Sequence, residues 1–175
     1  MRHVALLRGI NVGKAKRVAM ADLRQIVAEL GCQDVRTLLN SGNVVFSAPG
    51  QRAGQLAARI EAAIAARLRV TSRVTVLTAR ELRTIVAEQP FGEMVTDPSR
   101  CLVAVPSSSA WLRKLEPLAA ARWPSEAFGL GSRAAYIWCP GGVLESEALE
   151  QLARLLRDEV TTRNWGTTLK LGAMV

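Results

Sequence analysis

Two apolar stripes at helical spacing, Leu23, Ile26, Val27 and Leu30 in one and Leu56, Ile60, Ile64 and Leu68 in the other, each stand between short β-rich segments. This alternation constrains the fold more than any other feature, because a helical stripe and a strand must each bury one face against the other. Residues 3–8 read as a buried strand, and the first stripe follows as a helix that Gly31 stops. Residues 35–40 and 43–47 are β-rich and flank Ser41-Gly42, which predicts a tight hairpin. The second stripe lies on a long alanine-rich helix, and residues 73–77 return as a strand. The resulting order, β-α-β-β-α-β, is the split arrangement of ferredoxin-like units.

Thr78-Ala79-Arg80-Glu81 has the capping-box pattern, so a further helix begins there and turns Leu82, Ile85 and Val86 inward. It is predicted to end before Pro90. Pro90, Gly92, Asp97 and Pro98 give residues 89–99 a loop composition that marks a boundary between halves. Beyond it, residues 101–105 read as a strand, 110–121 as a helix, and 127–129 and 134–139 as two strands. A last long helix has Leu149, Leu152, Leu155 and Leu156 on its inner face, and residues 161–175 read as a loop leading into a short helix. The fold class is therefore predicted as α+β, with ferredoxin-like halves at 1–79 and 80–175 packed as one compact unit. The second half repeats the element order of the first as β-α-β-β-α.

Composition agrees with a globular chain. Of 175 residues 49% are hydrophobic and only 5% aromatic, so the core must come mainly from Ala, Val, Leu and Ile. No apolar run reaches the length of a membrane span and no cationic, apolar leader opens the chain, which points to the cytoplasm and to no membrane partner. Cys32, Cys101 and Cys139 are far apart, and His3 is the single histidine, so neither a disulfide framework nor a structural metal site is expected.

Charge is distributed unevenly. Residues 1–80 hold 13 Lys/Arg against 4 Asp/Glu, and residues 81–175 hold 10 against 11, so the net charge of +8 belongs to the first half. That excess suits nucleic acid or a phosphorylated small molecule. It equally suits a GC-rich coding bias, since arginines outnumber lysines 19 to 4. Within the first half, Arg2, Arg8, Lys14, Lys16 and Arg17 precede the first acidic residue, Asp22, and surround Arg8-Gly9-Ile10-Asn11-Val12-Gly13. Glycines let backbone N–H groups approach a ligand, and unneutralised cations favour phosphate or carboxylate.

Gly9-x-x-x-Gly13-Lys14 is not a P-loop, because one residue is missing between the glycines and Ala15 replaces the hydroxyl that would hold magnesium. The anion-binding reading of Arg8, Gly9, Asn11, Gly13 and Lys14 stands beside a structural one, in which the glycines permit a tight path and Asn11 closes the loop. Ser41 and Asn43 offer polar groups at the hairpin tip, where turn formation is a commoner reason for those residue types than ligand contact. Thr162, Arg163 and Asn164 form a third polar stretch before the last helix, which Thr162 or Asn164 would cap.

Catalytic arrangements find little support. A serine or cysteine triad would need His3, paired carboxylates are missing from the basic region, and no dinucleotide fingerprint or metal-ligand spacing occurs, so no cofactor is implied. Glu81, Glu93 or Glu145 could still reach a cleft after folding. Trp111, Trp123, Trp138 and Trp165 all lie in the second half, away from the basic region, unlike a stacking platform for single strands.

Taken together, Arg8-Gly9-Ile10-Asn11-Val12-Gly13 with Met20, Ser41-Gly42-Asn43-Val44-Val45-Phe46, and Thr161-Thr162-Arg163-Asn164-Trp165 resemble the bacterial domain-of-unknown-function 1697 family across essentially the whole chain. The resemblance implies an α+β fold of two ferredoxin-like halves and no established activity. The chain departs from the family pattern at Lys14 and Lys16, where a glycine and an asparagine are usual, and at Gly166, where another asparagine is usual. These changes make the loop more basic. The reading that follows is a binding protein with a cleft between its halves for an anionic small molecule, anchored by Arg8 and Arg163 and oriented by Asn11, Ser41, Asn43 and Asn164. Nucleic-acid binding by the basic half and an enzyme of undefined reaction are the alternatives, and oligomeric state is not encoded in any motif.

Overall fold

Strand β1 (Arg2–Leu7) is buried from His3 to Leu7, as a central strand covered on both faces must be. The structure, a computed structural model, describes residues 1–13 and 16–175, and the predicted site residue Lys14 lies outside the described residues. The chain divides into two compact units, Met1–Leu82 with Ala173–Val175, and Arg83–Gly172.

In the first unit β1 is followed by α1 (Met20–Glu29), β2 (Gln33–Leu38), β3 (Asn43–Ser47), α2 (Ala53–Leu68) and β4 (Val74–Thr78). The strands form one antiparallel sheet in the order β2-β3-β1-β4. Register places Ala5 opposite Val44 and Val76, and Leu7 opposite Val74. These side chains and Phe46 make one apolar layer, packed against Leu23, Ile26 and Val27 of α1 and Leu56, Ile60 and Ile64 of α2. Both stripes predicted from spacing are thus the buried helix faces. Asp22 lies in the first turn of α1, where the helix dipole favours an acid. Gly31, at φ +85°, ends that helix in the left-handed conformation.

The connection between β2 and β3 corrects the predicted two-residue hairpin. β2 stops at Leu38, and Leu39–Gly42 make a four-residue loop in which Leu39 and Gly42 have positive φ. Asn40, predicted to be in the strand, is part of that loop.

Helix α3 (Ala79–Ala87) starts at the predicted capping box. The Thr78 hydroxyl accepts from the Glu81 N–H at 3.1 Å, while the Glu81 carboxylate accepts from the Thr78 N–H at 2.8 Å. The division between units falls inside this helix.

The second unit continues with β5 (Cys101–Pro106), a 3-10 segment over Ser109–Leu115, α4 (Glu116–Ala120), β6 (Ala127–Leu130), β7 (Ala135–Trp138), α5 (Glu147–Leu156), β8 (Val160–Asn164) and α6 (Trp165–Gly172). Its antiparallel sheet has the order β6-β7-β5-β8. Leu102, Ala104, Ala135, Ile137 and Val160 pack on Leu112, Leu115, Leu118, Ala148, Leu152 and Leu156.

Three expectations are corrected here. The predicted helix over 110–121 is mostly 3-10, with α-helix only where Pro117 can occupy the first turn. Leu155 is exposed rather than inward, because α5 buries Leu152 and Leu156 and turns Leu155 away from that face. The polar run predicted to be a loop is strand β8, where Thr161 and Thr162 pair with Val105 and Ala104. Threonine is β-branched and fits a half-buried strand, which its polarity concealed. The chain is mixed α+β, with two four-stranded antiparallel sheets and six α-helices among the described residues. No described helix is long and apolar enough to cross a membrane.

Candidate functional site

Where β1 ends, the chain leaves the sheet through a clamp. The Arg8 N–H donates to the Arg73 carbonyl at 2.9 Å, and the Ser72 hydroxyl donates to the Arg8 carbonyl at 2.8 Å. The loop beyond is closed by Asn11. Its amide NH2 donates to the carbonyls of Val18 (2.9 Å) and Asn40 (2.7 Å), and its carbonyl accepts from the Val18 N–H at 2.9 Å. Its own N–H donates to the Lys16 carbonyl at 3.1 Å. Gly9, Asn11, Gly13 and Lys16 all have positive φ. A Cβ on Gly9 or Gly13 would meet nothing within 4 Å, so those glycines serve backbone conformation rather than close packing.

The Leu39–Gly42 turn is tied to the same loop. The Leu7 N–H donates to the Gly42 carbonyl at 2.8 Å, and a Cβ on Gly42 would stand 2.6 Å from Leu7 Cβ and 2.9 Å from Ile10 Cδ1. Asn43 is fully buried, and its amide donates to the Leu38 carbonyl (2.9 Å) and to the Ser41 hydroxyl (3.0 Å). The structure therefore brings Arg8, Gly9, Asn11, Gly13, Ser41 and Asn43 together at one end of the first unit's sheet. Asn11 and Asn43 use their amides on protein carbonyls there, while Gly9, Gly13, Ser41, Lys16 and Arg17 are exposed.

Thr162, Arg163 and Asn164 belong to the other unit, on edge strand β8. The Arg163 guanidinium turns back on its own strand, donating to Thr161 Oγ1 at 3.0 Å and to the Thr162 carbonyl at 2.8 Å. Burial lowers its pKa to about 10, which leaves it cationic at neutral pH. Asn164 caps α6: its side-chain oxygen accepts from the Thr167 N–H at 2.8 Å, and its carbonyl accepts from the Thr168 hydroxyl at 3.0 Å.

Sequence reasoning did not single out Ser72 or Leu39. A lone serine ahead of a strand carries no signal that its hydroxyl clamps Arg8, 64 residues earlier in the chain. Leu39 carries a misleading one, because leucine is a poor residue for positive φ. Chemically the cluster is a cationic surface loop braced by Asn11, with Gly9, Val12 and Gly13 exposed. Among the described residues no three His, Cys, Asp or Glu side chains gather as a metal site would require.

The sequence pattern of a family described as "Protein of unknown function (DUF1697)" matches residues 1–136. The chain belongs to the DUF1697 family. The match covers the Arg8 loop and the Ser41 turn of this DUF1697 chain and ends before the Arg163 segment. No curated protein matches it. Its fold is similar to the solved structure of the conserved bacterial protein SP0830 from Streptococcus pneumoniae, with a TM-score of 0.75, 24% identity, and coverage of 99% of this chain and 97% of that one. At that identity the likeness concerns the DUF1697 fold alone.

Proposed function

We propose that this protein binds a phosphate- or carboxylate-bearing ligand at the loop over residues 8–18 of its first unit. The observation that carries the reading is a division of labour within the loop. Asn11 holds the shape, whereas Lys16, Arg17, Gly9 and Gly13 stay exposed. Among the described residues the N–H groups of Gly9, Val12 and Gly13 make no hydrogen bond to protein. A loop braced in this way presents donors and positive charge to an anion at a smaller ordering cost. In this reading Arg8, Lys16 and Arg17 supply charge, Gly9 and Gly13 supply backbone donors, and Ser41 supplies a hydroxyl beside them.

The same proposal takes each half, 1–79 and 80–175, as a ferredoxin-like unit of a cytoplasmic protein. The orders β2-β3-β1-β4 and β6-β7-β5-β8 correspond strand by strand, which supports that assignment.

Thermal unfolding in sodium phosphate against sodium chloride at equal ionic strength tests the site. Wild type is expected to gain a saturable rise in midpoint with phosphate, and Arg17→Ala to lose most of it at an unchanged midpoint in chloride. Arg163→Ala is expected to lower the midpoint in both salts and keep the phosphate response, because that guanidinium bonds its own strand. An equal response in wild type and Arg17→Ala would contradict the proposal.

Nucleic-acid binding is the second reading, and the charge of the first half favours it, with 13 Lys/Arg against 4 Asp/Glu over residues 1–80. Affinity for generic duplex DNA would then fall steeply with salt and respond to Arg36→Ala as much as to Arg17→Ala.

A further inference from the structure

The tip of the Arg8 loop displays apolar side chains as well as charge. Val12 is 72% exposed and Leu39 is 54% exposed, and the Asn11 to Asn40 hydrogen bond of 2.7 Å joins their immediate neighbours. Both therefore belong to one tip. Leu39 is held at φ +58°, a conformation that disfavours leucine and that glycine or asparagine would adopt without strain. Of the 13 described residues with positive φ, six lie in this loop and turn: Gly9, Asn11, Gly13, Lys16, Leu39 and Gly42. Strained backbone that holds an aliphatic side chain out in water calls for a partner that takes that side chain.

Exposed Lys16 and Arg17 accompany these two aliphatic groups, and no acidic residue precedes Asp22. Cations beside protruding aliphatic side chains match the boundary between anionic headgroups and acyl chains. A protein partner fits less well, since an ordinary interface needs roughly 800 Å² per side and an apolar core larger than two side chains. A nucleic acid would take the charge and leave Val12 and Leu39 in water. Docking of this kind uses no spanning segment, so the lack of a membrane-crossing helix among the described residues does not bear on it.

We infer that the Val12 and Leu39 tip docks this protein on an anionic lipid bilayer, with Lys16 and Arg17 on the headgroups; this rests on the anion-binding reading and names the net-negative lipid headgroup, phosphate with carboxylate, as the anion. The test is co-sedimentation of the full chain with vesicles of phosphatidylcholine alone or with about one-third phosphatidylserine. Binding is expected only to the anionic vesicles, about fivefold weaker in Arg17→Gln. Leu39→Asn is expected to weaken it about tenfold, while its unfolding midpoint stays level or rises, because asparagine accepts positive φ. Val12→Ser gives the same reading without touching the strained position. Equal binding to both vesicle types, or wild-type binding by Leu39→Asn and Val12→Ser, overturns the inference. If vesicles fail and the soluble phosphate response persists, only the bilayer assignment falls; if both are absent, the anion-binding reading falls with it.

Discussion

At Asn11 one carboxamide makes three hydrogen bonds that close a loop, so its removal leaves the Val18 and Asn40 carbonyls and the Val18 N–H to find water. Asn11→Ala is expected to destabilise the protein by about 1–3 kcal/mol, read as a lowered urea midpoint. Gly42→Ala is expected to cost more, ~3 kcal/mol, because its Cβ would lie 2.6 Å from Leu7 Cβ at a φ of +80°. His3 gives a pH signature. It is fully buried, stacked on Phe46 at 5.8 Å between centroids, and neither ring nitrogen makes a hydrogen bond of good geometry. Burial lowers its pKa below the ordinary 6.5. The unfolded chain therefore binds the proton first as pH falls, so the contribution of neutral His3 is complete above about pH 6.5 and declines below it. His3→Phe is expected to flatten that part of the stability profile; an unchanged slope would place the titration elsewhere. At this scale the sequence showed which residues gather and not what each amide does, since asparagine serves turns, caps and ligands with the same atoms.

Elements were legible where periodicity or a local motif determined them. The stripes of α1 and α2 and the Thr78–Glu81 capping box needed only spacing, because the forces that form them act within a few residues. β8 was not legible. Its Thr-Thr-Arg-Asn run looks like a loop until the partner strand β5, some 60 residues earlier, supplies hydrogen bonds and burial. The 3-10 segment at Ser109–Leu115 is similar, since the Ser108 cap and the apolar spacing fit either helix type. Asn164 joins two elements by ending β8 and capping α6. Asn164→Ala is expected to cost about 1 kcal/mol, with faster amide exchange at Thr167 as the local readout. Unchanged exchange there would mean the cap is not holding the helix end.

For the whole molecule, the alternation of strands and helices led to an α+β chain with two antiparallel sheets, and the strand order in each repeats the other. Membership of the DUF1697 family rests on residues 1–136, which contain the loop and turn but not the β8 segment. The charge excess was countable from the sequence, yet its local use was not, because only folding shows that Asn11 braces the loop while Lys16 and Arg17 stay exposed. Amide NMR during a phosphate titration decides whether this braced loop is an anion site. Saturable shifts concentrated at the Gly9, Val12 and Gly13 N–H groups, absent when chloride replaces phosphate, are the expected result. Small, unsaturating shifts spread over all exposed arginines, with those three amides unmoved, would contradict it.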